Sequence, residues 1–203
     1  MITFQEAFFK SMVWQRIKWL GVMILKNPMD LFIYQEILFD TQPDTIIECG
    51  TAAGGSALYL ASLCDMMGRG KVITIDIVGC EDAPKHPRIT YLNGSSISPE
   101  IVEEVKKLCE GKVMAILDSD HRKDHVLKEM EIYAPLISAG NYLIVEDTCI
   151  NYDPMYVSNG PGPREAVEEF MKTSTDFEID TEREKLLSTF NPDGYLRKKP
   201  ECC

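Results

Sequence analysis

No stretch of the 203 residues approaches the ~18 to 20 uncharged apolar positions that cross a bilayer, so a membrane span is not expected. The opening segment, MITFQEAFFKSMVWQRIKW, carries charge along its length in place of a basic start and an apolar centre, so export or anchoring is not expected either. Cysteine follows no pairing pattern. The count of 7 is odd, and no CxxC is present: Cys49, Cys64, Cys80, Cys109 and Cys149 are scattered, while Cys202 and Cys203 stand at the tail. They read as reduced thiols of a cytoplasmic protein. Positive charge is scarce, with 21 basic against 32 acidic residues and a net charge of -11. Such a surface repels phosphate backbones and anionic membranes, so neither nucleic acid nor membrane is an expected partner.

What is present is enough apolar sequence, 45%, to bury a full core. Phe4, Phe8, Met12, Trp14, Ile17 and Leu20 stand at mostly helical spacing, which predicts one amphipathic helix over the first twenty residues, packed on the domain or on a second subunit. Residues 1–40 read as a helical extension and 41–203 as the domain proper. From residue 45 the pattern alternates: strands at 45–50, 71–76, 89–92, 113–118 and 141–147, with helices at 55–67, 99–109, 122–135 and 163–171. Continuous apolar strands separated by helix-length segments imply a doubly wound α/β fold with a mostly parallel sheet. Shorter segments around Phe177, Leu187 and Tyr195 suit an antiparallel closing pair.

The first informative motif is TIIECGTAAGGS, residues 45–56. In open parallel sheets ligands bind beyond the carboxyl ends of the strands, and this tract lies at such an end. Nicotinamide binding calls for GxGxxG, which is missing. The pattern instead runs Glu48-x-Gly50-x-x-x-Gly54-x-Ser56, and a carboxylate there opposes a pyrophosphate. A cationic, phosphate-free cofactor fits better, and S-adenosylmethionine is one. Asp76, at the end of the next strand, is placed to accept both hydroxyls of a ribose, a role that serves NAD equally.

The second constellation is LDSDH with IVEDT, which sets Asp118, Asp120, Glu146 and Asp147 at neighbouring strand ends. Like charges this close require a cation, and oxygen ligands favour Mg²⁺, with Mn²⁺ or Ca²⁺ as substitutes. His121 reads either as a general base or as a polar residue at a helix start. His86 and His125 read as surface residues.

With these residues stand KNPMDL, YQEIL, GPGPREAVEEF and TFNPDGYL. Together they resemble the cephalosporin hydroxylase family, a branch of the Rossmann-like class I S-adenosylmethionine-dependent methyltransferases that is also similar to rhamnosyl O-methyltransferases. The resemblance implies a seven-stranded sheet with an antiparallel C-terminal strand. It implies that Glu48, Gly50, Thr51 and Ser56 contact the methionine part of the cofactor, with Asp76 on the ribose, Ser96 on the adenine side and Asp120 also on the cofactor side. Asp118, Glu146 and Asp147 match a metal triad. The catechol methyltransferases, more distantly similar, place a lysine base where this chain has His121, and plant-type relatives carry Asn where this chain has a second acid.

The expected reaction is methyl transfer to a hydroxyl of a small molecule, with the metal holding the acceptor and Asp118 and His121 at the reacting oxygens. The loop at 151–160 and the helix after it are the expected lid, with Tyr152, Met155 and Tyr156 either lining the acceptor pocket or packing the loop. Two rivals stand beside this reading: a substrate-binding component of a two-protein hydroxylation and methoxylation system, and a nicotinamide oxidoreductase. A homo-oligomer fits the apolar first helix.

Overall fold

The computed structural model describes residues 4–79, 81–151 and 160–200. The first helix, α1, covers only Phe4–Lys10. A single 3₁₀ turn at Val13–Arg16 and a small hairpin, β1 (Lys18–Trp19) with β2 (Val22–Met23), follow it. The long helix expected here is therefore broken, and Met12 and Leu20 sit at positive φ. The apolar spacing has a tertiary cause: Phe8, Phe9 and Trp14 gather around Phe190, while Ile17 and Trp19 pack on the domain core.

Helix α2 (Pro28–Thr41) starts cleanly because Asn27 accepts the N–H of Met29 and Pro28 occupies the first helical position. Strand β3 (Thr45–Cys49), helix α3 (Gly55–Met67), β4 (Lys71–Asp76) and β5 (Ile89–Asn93) come next. Then follow α4 (Pro99–Leu108), β6 (Val113–Leu117), α5 (Lys123–Tyr133), β7 (Tyr142–Val145), α6 (Pro163–Thr173), β8 (Phe177–Ile179) and β9 (Tyr195–Lys198). The large sheet has seven strands in the order β5-β4-β3-β6-β7-β9-β8, parallel except for β9 against both of its neighbours. This is the doubly wound architecture the alternation predicts.

Alternate residues of each strand face opposite sides. Ile47, Ile73, Ala115 and Leu143 meet α5 and α6, whereas Ile46, Val72, Met114 and Ile144 meet α2 and α3. Ile33, Tyr34, Ile37 and Leu38 of α2 belong to that second cluster, so the core runs without interruption across the 40/41 boundary. None of the described helices is long and apolar enough to cross a membrane.

Strand order reverses between β3 and β6, and at that switch point the chain approaches itself closely. Gly50 has φ +100°, and a Cβ there would lie 1.9 Å from the carbonyl oxygen of Asp118. Gly50→Ala should therefore lower unfolding free energy by at least about 2 kcal/mol through overpacking against backbone, read as the shift in a urea midpoint.

Candidate active site

A cleft of about 500 Å³ opens at the carboxyl edge of the sheet over the switch point. Of the residues singled out from sequence, Gly50, Thr51, Ser56, Asp76, Ser96, Asp118, Asp120, His121 and Asp147 line it; Glu48, Gly54 and Glu146 stand behind its wall.

The glycine tract is held by the neighbouring strand. Asp76 Oδ2 accepts the N–H groups of Thr51 and Ala52 at 3.0 Å each, and its Oδ1 accepts that of Val78 at 2.9 Å. Asp76 thus shapes the loop, and its oxygens keep lone pairs for a ligand hydroxyl. Gly54, at φ +79°, is the N-cap of α3 and passes close to Pro84. Its part is backbone shape.

Glu48 is fully enclosed, 1% exposed, because the strand's alternation turns it to the α3 side opposite Thr74. Its Oε2 accepts the Thr74 hydroxyl at 2.6 Å, and its Oε1 is buried without a hydrogen-bond partner among the described residues. Burial pushes this carboxyl up, with the nearby hydroxyls of Ser56 and Thr74 pulling the other way. A cofactor contact from Glu48 therefore comes from beneath the loop.

At the other end of the cleft, Asp118, His121 and Asp147 each present a ligand atom, all within 4.8 Å of one another. His121 Nε2 lies 3.0 Å from Asp147 and 3.4 Å from Asp118. Burial disfavours the imidazolium, but the hydrogen bonds and charges of these two carboxylates outweigh it and push the pKa of His121 up to about 10. At neutral pH His121 is thus a proton holder, and the base reading requires that other positive charge reach the two acids first. Asp147 has φ +56°, a left-handed conformation that an aspartate tolerates, pinned by its N–H donating to Asn191 Oδ1 at 2.9 Å.

The structure does not bring Glu146, the remaining member of the expected triad, into this group. Alternation after β7 turns it toward α2, where Lys26 Nζ stands 2.5 Å from Glu146 Oε1 and 2.5 Å from Asp118 Oδ2, and the Tyr34 hydroxyl donates to the same Glu146 oxygen. Burial pushes Glu146 up to about 7 although the Lys26 ammonium opposes it. Asp118, also penalised by burial, is held below its ordinary range by Lys26 and His121. Asp120 lines the cleft but is committed to Arg122, whose guanidinium and backbone N–H hold it down at about 2.

Sequence reasoning overlooked Lys26, Tyr34 and Asn191, which meet only in three dimensions, although KNPMDL, YQEIL and TFNPDGYL had marked their segments. It also placed His125 on the surface, whereas that ring lines the cleft beside Ser96 and Ser119. His86 does lie outside the cleft, 3.1 Å from Asp65. Tyr152, Met155 and Tyr156 fall outside the described residues.

A doubly wound sheet with an antiparallel terminal strand, whose switch point opens on a glycine loop and an acidic strand end, has the class I methyltransferase fold. The sequence profile described as Rhamnosyl O-methyltransferase/CmcI matches residues 11–199; the chain belongs to that family and is an O-methyltransferase. The rhamnosyl O-methyltransferase of Mycobacterium bovis strain BCG is 39% identical over 202 residues, 95% of this chain and 82% of that protein. Its counterpart from Mycobacterium leprae is 37% identical over 204 residues, 97% and 89% of the two chains. Among solved structures, an apo form of CmcI superposes with TM-score 0.74 at 25% identity, covering 92% of this chain and 77% of that one. A CmcI structure with Mg and SAM gives 0.70 at 22%, covering 92% and 78%, a likeness of fold.

Lys26 is 4% exposed and neutralises two strand-end acids. Lys26→Met should cost about 3 kcal/mol in a urea titration, since the partner charges stay buried without their cation. The deficit should narrow from pH 8 to pH 5, because Glu146, already at about 7, takes up a proton in the folded variant and sheds its charge.

Proposed function

We propose that the chain transfers the methyl group of S-adenosylmethionine to a hydroxyl of a small acceptor, of sugar or secondary-metabolite type, with Mg²⁺ or a similar divalent ion at Asp118 and Asp147. The observation that carries this reading is the single cleft: a glycine loop with a ribose-type acid at one end and an oxygen-rich donor cluster at the other. The names of the mycobacterial relatives, which specify a rhamnosyl acceptor, support the sugar class.

The residues fit both groups. Glu48 offers a buried, unpartnered acceptor oxygen under the loop, suited to a cationic ligand. Asp118 and Asp147 are hard donors close enough to share one ion. A divalent ion there supplies Lewis acidity to the acceptor oxygens, and bound S-adenosylmethionine supplies the electrophilic methyl. The chain's own part is positional. Gly50 and Thr51 aim the cofactor, while Asp118 and Asp147 fix the acceptor end. His121, whose Nε2 lies 3.0 Å from Asp147 and 3.4 Å from Asp118, would take the acceptor's proton once its own hold on those two acids is relieved. Glu146 joins the donor set only by releasing Lys26 and Tyr34.

Calorimetric titration of the cofactor-stripped protein with S-adenosylmethionine, with Mg²⁺ and with EDTA, tests this. Binding is expected in either condition, with methyl transfer to hydroxylated acceptors stimulated by Mg²⁺. Asp147→Asn should keep cofactor binding and lose metal stimulation by at least about tenfold. Absence of cofactor binding in both conditions sinks the reading.

A further inference from the structure

One side of the cleft is apolar, and the proposed reaction does not use it. Trp14, in the 3₁₀ turn, lines it together with Met23 and Leu25, which stay 40% and 38% exposed. The indole of Trp14 is held from two directions. Phe9 stacks on it, ring centroids 5.8 Å apart and planes 9° from parallel, and Phe190 meets it edge to face at 6.1 Å and 89°. Its Nε1 is buried and has no hydrogen-bond partner among the described residues. Trp19, the other tryptophan, differs on both counts: its Nε1 donates to Ser62 Oγ at 3.1 Å, and its ring packs on Tyr59 without lining the cleft.

Phe190 is followed by Asn191, whose side chain accepts the N–H of Asp147. The ring that braces Trp14 thus belongs to the segment that sets the acid cluster, and the indole stands at that end of the cleft. A braced indole has little rotamer freedom left to lose and gives a ligand a broad apolar surface. An enclosed N–H without an acceptor is rare in a folded protein, and an oxygen brought by a ligand accounts for it. The polar cluster of Asp118, His121 and Asp147 lines the same cleft. A saturated ring with several hydroxyls answers both sides: its C–H face covers the indole, one oxygen accepts Nε1–H, and its other hydroxyls meet the cluster. A planar phenol has one or two hydroxyls and leaves part of these groups unpaired, which costs affinity. We infer that Trp14 is a specificity-determining residue of the acceptor site, selecting a pyranose-type ring over a planar phenol. The inference rests on the reading of the cleft as a site of O-methyl transfer, and it deepens that reading by naming a residue behind the sugar class.

The test is calorimetry on the protein saturated with S-adenosylhomocysteine and Mg²⁺, comparing methyl α-L-rhamnopyranoside with catechol. The parent protein should bind the rhamnoside at least about tenfold more tightly. Trp14→Phe keeps a ring and removes the N–H, so it should weaken the rhamnoside about threefold. Trp14→Ala should weaken it at least about tenfold. Both variants should keep the parent's affinity for S-adenosylhomocysteine. In Trp19→Phe protein the only indole left is that of Trp14, and its emission should change saturably as the rhamnoside is added. This titration and the phenylalanine variant decide the matter if Trp14→Ala fails to fold by circular dichroism. Unchanged rhamnoside affinity in the folded variants, or emission that does not respond to bound rhamnoside, overturns the role of Trp14. So does a loss of equal size for the rhamnoside and for S-adenosylhomocysteine. A parent protein that binds S-adenosylhomocysteine but prefers catechol, or binds neither acceptor, overturns the pyranose selection and leaves the cofactor reading standing. Failure to bind S-adenosylhomocysteine removes the cofactor reading and this inference with it.

Discussion

One ammonium shared by two strand-end carboxylates holds the working edge of this protein together. Lys26 reaches from the segment before α2 to Asp118 on one strand end and Glu146 on the next. Without that cation, the ends of β6 and β7 would set two negative charges side by side in a largely dry setting, where repulsion is little screened. The same contact recruits the N-terminal segment into the site. Ile24 and Lys26 line or close the cleft, and Gly55, at the head of α3, fits against the backbone of Met23 so tightly that a Cβ would lie 2.1 Å from its carbonyl oxygen. Trp14, Met23, Ile24, Leu25 and Lys26 of the segment that reads as an N-terminal extension thus form one wall of this cleft.

Acid is concentrated around this cleft. A net charge of -11 says only that the molecule is acidic; the fold places Asp76, Asp118, Asp120 and Asp147 around one cleft. Each has its own compensation. Asp76 takes backbone N–H groups, Asp120 takes Arg122, and Asp118 and Asp147 share His121. The two ends of the cleft differ accordingly: the loop side is built from backbone donors with fixed directions, the other side from side-chain charges.

How much of this was legible in the sequence depends on how local the cause is. Strands β3, β4, β6 and β7 are short apolar runs ending in an acid or a glycine, and period and punctuation sufficed to find them. Ser98-Pro99 opens α4 through capping chemistry legible in the sequence; Asn27-Pro28, which reads there as a break, opens α2 in the same way. The site acids were found because strand ends in a parallel sheet share an edge. Their partners were not, because which face a strand-end residue takes depends on the register of its neighbours: Glu48 and Glu146 turned inward, and Asp147 needed a left-handed backbone to turn outward. The first twenty residues misled for a related reason. Their aromatic spacing imitates a helix, yet the rings answer to Phe190, on the far side of the sequence.

The tie between the two ends of the chain has a consequence for how the protein comes into being. Asp30 accepts the N–H of Phe190 and the hydroxyl of Tyr195, contacts that span 160 and 165 positions, and Asn27 donates to Ser188 across 161. Asn191, from the same late segment, pins the backbone of Asp147. A chain emerging from the ribosome in order can pair β3 with β4 and β6 early, but the acid cluster acquires its final geometry only after residue 191 has been made and threaded back. Loop closure over such distances is slow relative to local helix formation. Residue 191 must therefore be made before the nascent chain can set this acid cluster, and the cluster's geometry arrives late in folding.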